Sequence, residues 1–251
     1  MRCRLVVLGV FIFQFFAVAN ASPVKDTLRV LFVGNSYTYY NNLIQMVSLI
    51  SDSLDTKLIC TKSTVGGTNL GEHWKEEKGL RSKTLIQQGR YDIVVFHDHS
   101  LRPIEAPDSL WYFGGLLCEL IKSKQARPFL YNTWAREKNP ELQPVINRAY
   151  EQLADQCGAA RVKVGDCWQE FLKKMPQAAL YSSDGSHPSN LGTFIAALCF
   201  VKSIIGKLPA SLPTVYNYFD RDGETFRIMQ VSKEEIALGL STINSLIPQA
   251  L

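Results

Sequence analysis

The chain has 251 residues, of which 46% are hydrophobic and 20% charged, and its formal net charge is +4. This composition is typical of a globular protein with enough apolar material for one core. No run of basic residues and no interleaving of basic with aromatic residues occurs, so nucleic acid is not an expected partner.

The first 21 residues have the pattern of a secretory signal. Arg2 and Arg4 supply positive charge, residues 5–18 are almost continuously apolar, and Ala19-Asn20-Ala21 is an A-x-A cleavage site. The apolar run is short for a membrane span, which favours cleavage over a membrane anchor. We therefore expect a secreted or periplasmic protein with no stable membrane anchor, in which residues 22–251 form a single catalytic domain.

Five cysteines follow this leader, so at least one is unpaired or pairs between chains: Cys60, Cys118, Cys157, Cys167 and Cys199. Cys157 and Cys167 are close enough in sequence to bridge a short loop, but buried free thiols are the favoured interpretation. No cysteine or histidine pair has the spacing of a structural zinc site. We expect no metal and no cofactor.

Apolar strand patterns alternate with helical patterns along the chain. The first strand is predicted at 28–33, and it runs into the turn sequence Gly34-Asn35-Ser36. Further strands are predicted at 56–63, 91–96, 128–131 and 161–164, and a terminal hairpin at 215–219 and 225–230. Helices are predicted at 43–54, 79–89, from 107, 141–156, 165–175, 188–205 and 236–247. Residues 37–40 are predicted to form an aromatic-rich loop. This order predicts a three-layer α/β/α sandwich around a mostly parallel five-stranded sheet.

Polar residues follow two of these strands, at the sheet edge where ligands bind in open α/β folds. Ser36 follows the first strand, and the block 97–100 (HDHS) follows the third. Far downstream, Asp184 lies three residues before His187. A histidine takes the proton of a serine nucleophile, and a carboxylate orients the histidine. These residue types predict a catalytic triad of Ser36, His187 and Asp184.

Four blocks together resemble the SGNH (GDSL-like) hydrolase superfamily: G-N-S at 34–36, V-G-G-T at 65–68, the polar block at 97–100 and D-x-x-H at 184–187. The stretch T-W-A-R at 133–136 is similar to the branch with a G-N-S nucleophile block. The resemblance covers about residues 28–205. It implies a flavodoxin-like sheet and ester hydrolysis through an acyl-enzyme.

The resemblance also implies an oxyanion hole with three donors. The first is the Ser36 backbone N–H, and the second comes from Gly66 or Gly67, of which Gly67 is favoured. In many relatives the third donor is an asparagine after strand three, but no asparagine lies between positions 91 and 103. His99 is nearest to the equivalent place, and His97 is the alternative.

Three further residues are predicted to bind substrate. His73 follows the glycine block, and Trp134 and Arg136 follow the fourth strand. A tryptophan stacks on sugar faces and an arginine binds carboxylates, although a packed Trp134 and a packed loop around His73 are equally compatible with the sequence.

The preferred interpretation is a secreted serine esterase that removes small O-acyl groups, foremost O-acetyl, from carbohydrates. Its partner would be a small-molecule or glycan ester. The alternatives are a lipid esterase or thioesterase acting on longer acyl chains, and a non-catalytic carbohydrate-binding protein on a degenerate hydrolase fold. The sequence leaves the oligomeric state open.

Overall fold

A five-stranded parallel sheet forms the centre of the computed structural model, which describes residues 25–248. Its strands, in chain order, are β1 (Asp26–Gly34), β2 (Thr56–Thr64), β3 (Ile93–Phe96), β4 (Arg127–Asn132) and β5 (Ala160–Lys163). Their spatial order is β2-β1-β3-β4-β5, and every pair is parallel. All carboxyl ends of these strands therefore meet at one edge.

Helices cover both faces of the sheet. They are α1 (Ser36–Tyr39), α2 (Leu43–Ser51), α3 (Leu70–Lys75), α4 (Ser82–Gln88), α5 (Arg102–Glu105), α6 (Pro107–Ser123), α7 (Gln143–Cys157), α8 (Val164–Lys174), α9 (Asn190–Ile205) and α10 (Lys233–Leu246). A two-stranded antiparallel hairpin, β6 (Val215–Phe219) with β7 (Thr225–Gln230), precedes α10.

The central strands are buried on both faces, so their side chains supply two separate cores. Along β1, Val30 and Phe32 belong to a core that also contains buried residues of α2, α8, α9 and α10. Leu31 and Val33 belong to the other core, which contains buried residues of α4, α6 and α7. This alternation, with a period of two residues, produces the predicted three-layer α/β/α sandwich.

The predicted fold class is confirmed, and several element boundaries differ from the prediction. Residues 37–40 form mostly a helical turn, α1, where a loop was predicted. The helices α3 and α5 were not predicted. The helix predicted from Pro188 begins at Asn190, because the Ser189 hydroxyl accepts the Gly192 N–H at 3.1 Å and so caps the first turn.

The five cysteines within residues 25–248 are free thiols, and Cys157 and Cys167 are not bonded to each other. The predicted leader at 1–21 lies outside the described residues. Among residues 25–248, no helix has the length and apolar character needed to cross a membrane. The interpretation of residues 22–251 as one catalytic domain stays a prediction.

Candidate active site

The turn after β1 presents Ser36 at the carboxyl edge of the sheet. Asn35 Oδ1 accepts the Tyr37 N–H at 3.2 Å and caps α1, which begins at Ser36. Gly34 is required here, because a Cβ at this position would overlap the His97 ring and lie 2.7 Å from Thr38 Oγ1. The close approach of His97 therefore leaves room only for glycine at position 34.

The structure brings Ser36, His187 and Asp184 into one hydrogen-bonded line. The Ser36 hydroxyl lies 2.8 Å from His187 Nε2, and His187 Nδ1 lies 2.5 Å from Asp184 Oδ2. In the neutral ring, Nδ1–H donates to the carboxylate and Nε2 is left as an acceptor for the serine proton. This is the arrangement that makes a serine hydroxyl nucleophilic.

Backbone N–H groups within the loop 184–187 orient the Asp184 carboxylate. Asp184 Oδ1 accepts the N–H groups of Ser186 and His187, both at 2.9 Å. The hydrogen bond from His187, helped by these N–H groups, lowers the pKa of Asp184 to about 2. Asp184 is therefore ionised at neutral pH and able to stabilise an imidazolium.

Aromatic rings hold the imidazole of His187. The Tyr40 ring stacks on it with centroids 4.1 Å apart and an interplanar angle of 14°, and the Tyr37 ring meets it edge-on at 5.6 Å. The Tyr37 hydroxyl also lies 2.7 Å from Ser186 Oγ. Sequence reasoning missed these roles. The run of tyrosines directly after the nucleophile was the available signal.

Trp134 does not line the cleft, and its predicted role as a sugar-stacking residue is corrected. It is only 1% exposed, and it is sandwiched between Tyr37 at 4.6 Å and Trp168 at 3.9 Å. Its Nε1–H donates to the Ser186 carbonyl at 2.9 Å. Trp134 therefore supports the loop that carries His187 and does not line the cleft.

The predicted role of His73 in substrate binding is also wrong. His73 is 0% exposed, with Nδ1 2.6 Å from the Ser82 hydroxyl and Nε2 3.0 Å from the Gly34 carbonyl. Burial lowers the pKa of His73 to about 4, so the ring is neutral. The His73 ring contacts the last residue of β1, and His73 does not line the cleft.

Asn35 ties together the three loops that surround the nucleophile. Its Nδ2 donates to the Thr68 carbonyl at 3.0 Å and to the Asp98 carbonyl at 3.4 Å. The sequence suggested only a turn residue at this position. The structure shows a further role for Asn35, because its buried amide connects the nucleophile turn to the glycine block and to the block after β3.

The residues predicted to form the oxyanion hole lie around the same cleft. Gly66, Gly67 and His99 line it together with Ser36. The backbone N–H groups of Ser36 and Gly67 have no acceptor among residues 25–248, so they are free to bind an oxyanion. Gly67 has φ +69°, a backbone conformation that glycine adopts without strain.

His99, and not His97, is placed to be a third donor. His97 is buried, and both its ring nitrogens are engaged, by Thr38 Oγ1 at 2.8 Å and by the Asp98 carbonyl at 2.9 Å. His99 Nδ1 accepts the Leu101 N–H at 3.4 Å, which leaves Nε2–H as its free donor. Burial, followed by the charge of Arg136, lowers the pKa of His99, so the ring is neutral.

Asp98 holds the backbone of this block in place. Its Oδ1 accepts the N–H groups of His99 at 2.7 Å and Leu70 at 3.0 Å, while its Oδ2 is buried without a partner among the described residues. Burial raises the pKa of Asp98 to about 6. The side chain thereby joins α3 to the loop that carries His99.

The cleft has a volume of about 320 Å³. Arg136, which the sequence analysis predicted to bind substrate, lines its wall, and Nη2 donates to Ser100 Oγ at 3.3 Å. Tyr39 and Tyr40 form the remaining aromatic rim. Among residues 25–248, no group of three or more histidine, cysteine, aspartate or glutamate side chains is arranged to hold a metal ion.

Solved structures resemble this chain over most of its length. A protein from Slackia heliotrinireducens, provisionally classed as an SGNH hydrolase, matches with 26% identity and a TM-score of 0.60, over 71% of this chain and 100% of its own. A DUF4886 family protein from Bacteroides uniformis matches with 16% identity and a TM-score of 0.69, over 88% of this chain and 95% of its own.

The acetyl xylan esterase AlAXEase matches with 16% identity and a TM-score of 0.57, over 70% of this chain and 100% of its own. No family model matches the sequence, and no curated protein matches it either. The fold and the similarity to these solved structures support assignment to the SGNH hydrolase superfamily, which the order of the four blocks also resembles.

Proposed function

We propose that this protein is a serine esterase that hydrolyses small O-acyl esters, foremost O-acetyl groups on carbohydrates. The observation that carries the proposal is the line of Ser36, His187 and Asp184, which opens into a cleft. The similarity to solved SGNH hydrolases supports the same reaction class.

The reaction begins when Ser36 Oγ attacks the ester carbonyl and His187 Nε2 takes its proton. Proton transfer of this kind contributes roughly 10²–10⁴-fold to the rate. Asp184 stabilises the imidazolium, and the N–H groups of Ser36 and Gly67 with His99 hold the oxyanion. His187 then protonates the departing alcohol, and an acyl-enzyme on Ser36 remains. Water, deprotonated by His187, releases the acid.

The size of the cleft supports a short acyl group. A volume of about 320 Å³ holds an acetyl group and part of a sugar, while a long acyl chain would extend into solvent. Polar side chains of Ser100, Arg136 and Ser186 beside the nucleophile suit a hydroxylated substrate. Secretion, predicted from residues 1–21, would place such an enzyme where polysaccharides are found.

The test is acid release from a panel of acetyl and long-chain acyl esters, including acetylated polysaccharides. We expect acetate release by the native protein, loss of release in Ser36→Ala, and unchanged release in Ser123→Ala, which removes an exposed hydroxyl on α6. A fluorophosphonate probe should label the native protein and Ser123→Ala only.

Preference for long acyl chains would move the assignment to a lipid esterase or thioesterase. Absence of both turnover and labelling would contradict the hydrolase proposal and favour a non-catalytic carbohydrate-binding protein.

A further inference from the structure

Arg136 contributes a cation to the wall of the catalytic cleft. It lines the same cavity as Ser36 and His187, and its side chain is partly buried. Ser100 Oγ accepts one N–H of the guanidinium, while Arg136 Nε is buried without an acceptor among the described residues. Most of its five N–H donors therefore have no acceptor within residues 25–248.

No carboxylate balances this charge within residues 25–248, because none lies within 4.0 Å of the guanidinium. Asp184 is engaged by His187. The Glu137 side chain lies over Gly185, with Oε2 3.1 Å from where a Cβ of Gly185 would stand. Taking an arginine partly out of water without a counter-charge is unfavourable.

Arg102, which does not line the cleft, adds to the positive potential near this wall. Arg136 and Arg102 both act on His99, and their charges contribute to the lowered pKa of that ring. Guanidinium groups stay protonated at every working pH and bind carboxylate and phosphate oxygens with paired hydrogen bonds. The missing counter-charge is therefore most simply supplied by the ligand.

We propose that Arg136 binds an anionic group, a carboxylate or a phosphate, on the sugar that carries the ester. The preferred substrates are then acetylated acidic sugars, and Arg136 is the residue that discriminates against neutral ones. This inference rests on the proposed esterase function for its substrate, but the anion site itself is a property of the cleft.

The experiment measures binding to Ser36→Ala protein by titration calorimetry, so that turnover is not needed. The ligands are an acetylated methyl glucuronoside, the matched acetylated methyl glucoside, and an acetylated glucose 6-phosphate. A charge-assisted hydrogen bond to a partly buried arginine corresponds to a preference of about ten-fold or more for an anionic ligand.

We expect that preference in Ser36→Ala, its loss when Arg136→Gln is added, and its retention when Arg102→Gln is added. Arg102→Gln removes the same charge near His99 but from a residue that does not line the cleft, so it is the matched control for long-range electrostatics. The two anionic ligands distinguish a carboxylate site from a phosphate site.

Equal binding of the neutral and anionic sugars, or no binding of either anionic sugar, would overturn the inference. A preference that survives Arg136→Gln would overturn it as well. Failure of the esterase proposal is distinguishable, because it would appear as no acetate release by the native protein while the Arg136-dependent binding preference persists.

Discussion

The indole Nε1–H of Trp134 donates a hydrogen bond of 2.9 Å to the carbonyl oxygen of Ser186, the residue immediately before His187. Because the Trp134 ring is clamped between Tyr37 and Trp168, the donor has little freedom to move. The buried Trp134 side chain thereby helps to fix the position of the loop 184–187. This relationship gives Trp134 an indirect part in catalysis.

Trp134→Phe should lower kcat about ten-fold, because the loop 184–187 loses a hydrogen bond that holds the base at 2.8 Å from Ser36. KM should change little, because Trp134 does not touch the cleft. The matched control is Trp111→Phe, which removes an indole hydrogen bond of 3.0 Å to the Ala149 carbonyl outside the cleft lining.

Both tryptophan variants should lose stability, by roughly 1–3 kcal/mol from the lost hydrogen bond and packing. Urea unfolding and steady-state kinetics on acetyl esters separate the two effects. An equal loss of kcat in the two variants would show that Trp134 has a merely structural role.

Asp184→Asn should reduce kcat by roughly 10³–10⁴-fold, because an amide no longer fixes the reactive tautomer of His187 or stabilises its charged form. Folding should be preserved, since the substituted amide retains an oxygen for the N–H groups of Ser186 and His187. The comparison is of kcat at pH 7 with Asp155→Asn, an exposed carboxylate on α7, as the control. Retention of native kcat in Asp184→Asn would remove Asp184 from the triad.

The lowered pKa of Asp184 predicts that acid reduces the stability of the protein. The folded pKa of Asp184, about 2, lies below the ordinary value of 3.8, so its stabilising contribution is complete above pH 4 and is lost as pH falls toward 2. Thermal unfolding between pH 2 and 5 should therefore show a steeper loss for the native protein than for Asp184→Asn. Parallel curves would contradict the lowered pKa.

The raised pKa of Asp98 predicts the opposite pH dependence of stability. The folded pKa of Asp98, about 6, lies above the ordinary 3.8, so ionisation opposes folding, and the native protein should lose stability as pH rises from 4 to above 6. Asp98→Asn retains an oxygen for His99 and Leu70 and does not ionise. The stability of this variant relative to the native protein should therefore increase across that range by roughly 3 kcal/mol.

Urea unfolding of both proteins at several pH values between 4 and 8 measures this difference. Asp92→Asn, which changes a carboxylate that accepts the Arg29 N–H elsewhere on the sheet, serves as the control for the loss of a carboxylate. A constant difference between Asp98→Asn and the native protein would contradict a raised pKa for Asp98.

His99→Ala should lower kcat by about 10²–10³-fold if its ring donates to the oxyanion, and KM should change less than kcat. His99→Asn should recover part of this loss, because a side-chain amide is also a donor. The readout is the pair of kcat values on one acetyl ester. Equal kcat in the alanine and asparagine variants would mean that the ring does not act as a donor.

The sequence was sufficient for the sheet, because its three central strands are short apolar runs, and the first of them ends at the turn residues 34–36. The Asp184–His187 pair was also visible, since both residues lie in one four-residue turn. The helix α3 had a signal that was not used: Asn69 and Glu72 form a capping box at its start.

Burial of Trp134 and His73 could not be deduced from their positions in the chain. Their partners Ser186 and Gly34 lie 52 and 39 residues away, so the contacts depend on how distant loops assemble. The same limit applies to Tyr40, which stacks on a ring far along the chain, and to the choice between His97 and His99. In each case, tertiary packing decides which side chains face the cleft.

The hydrogen bond between Ser36 and His187 joins residues separated by 151 positions. The nucleophile follows the first strand of the sheet, whereas its base follows the fifth strand and shortly precedes α9. During synthesis, a nascent chain therefore carries an inert serine until most of its length has been made. Enzymatic activity is consequently a marker of late assembly, and its recovery on refolding should not precede the docking of α9 against β1.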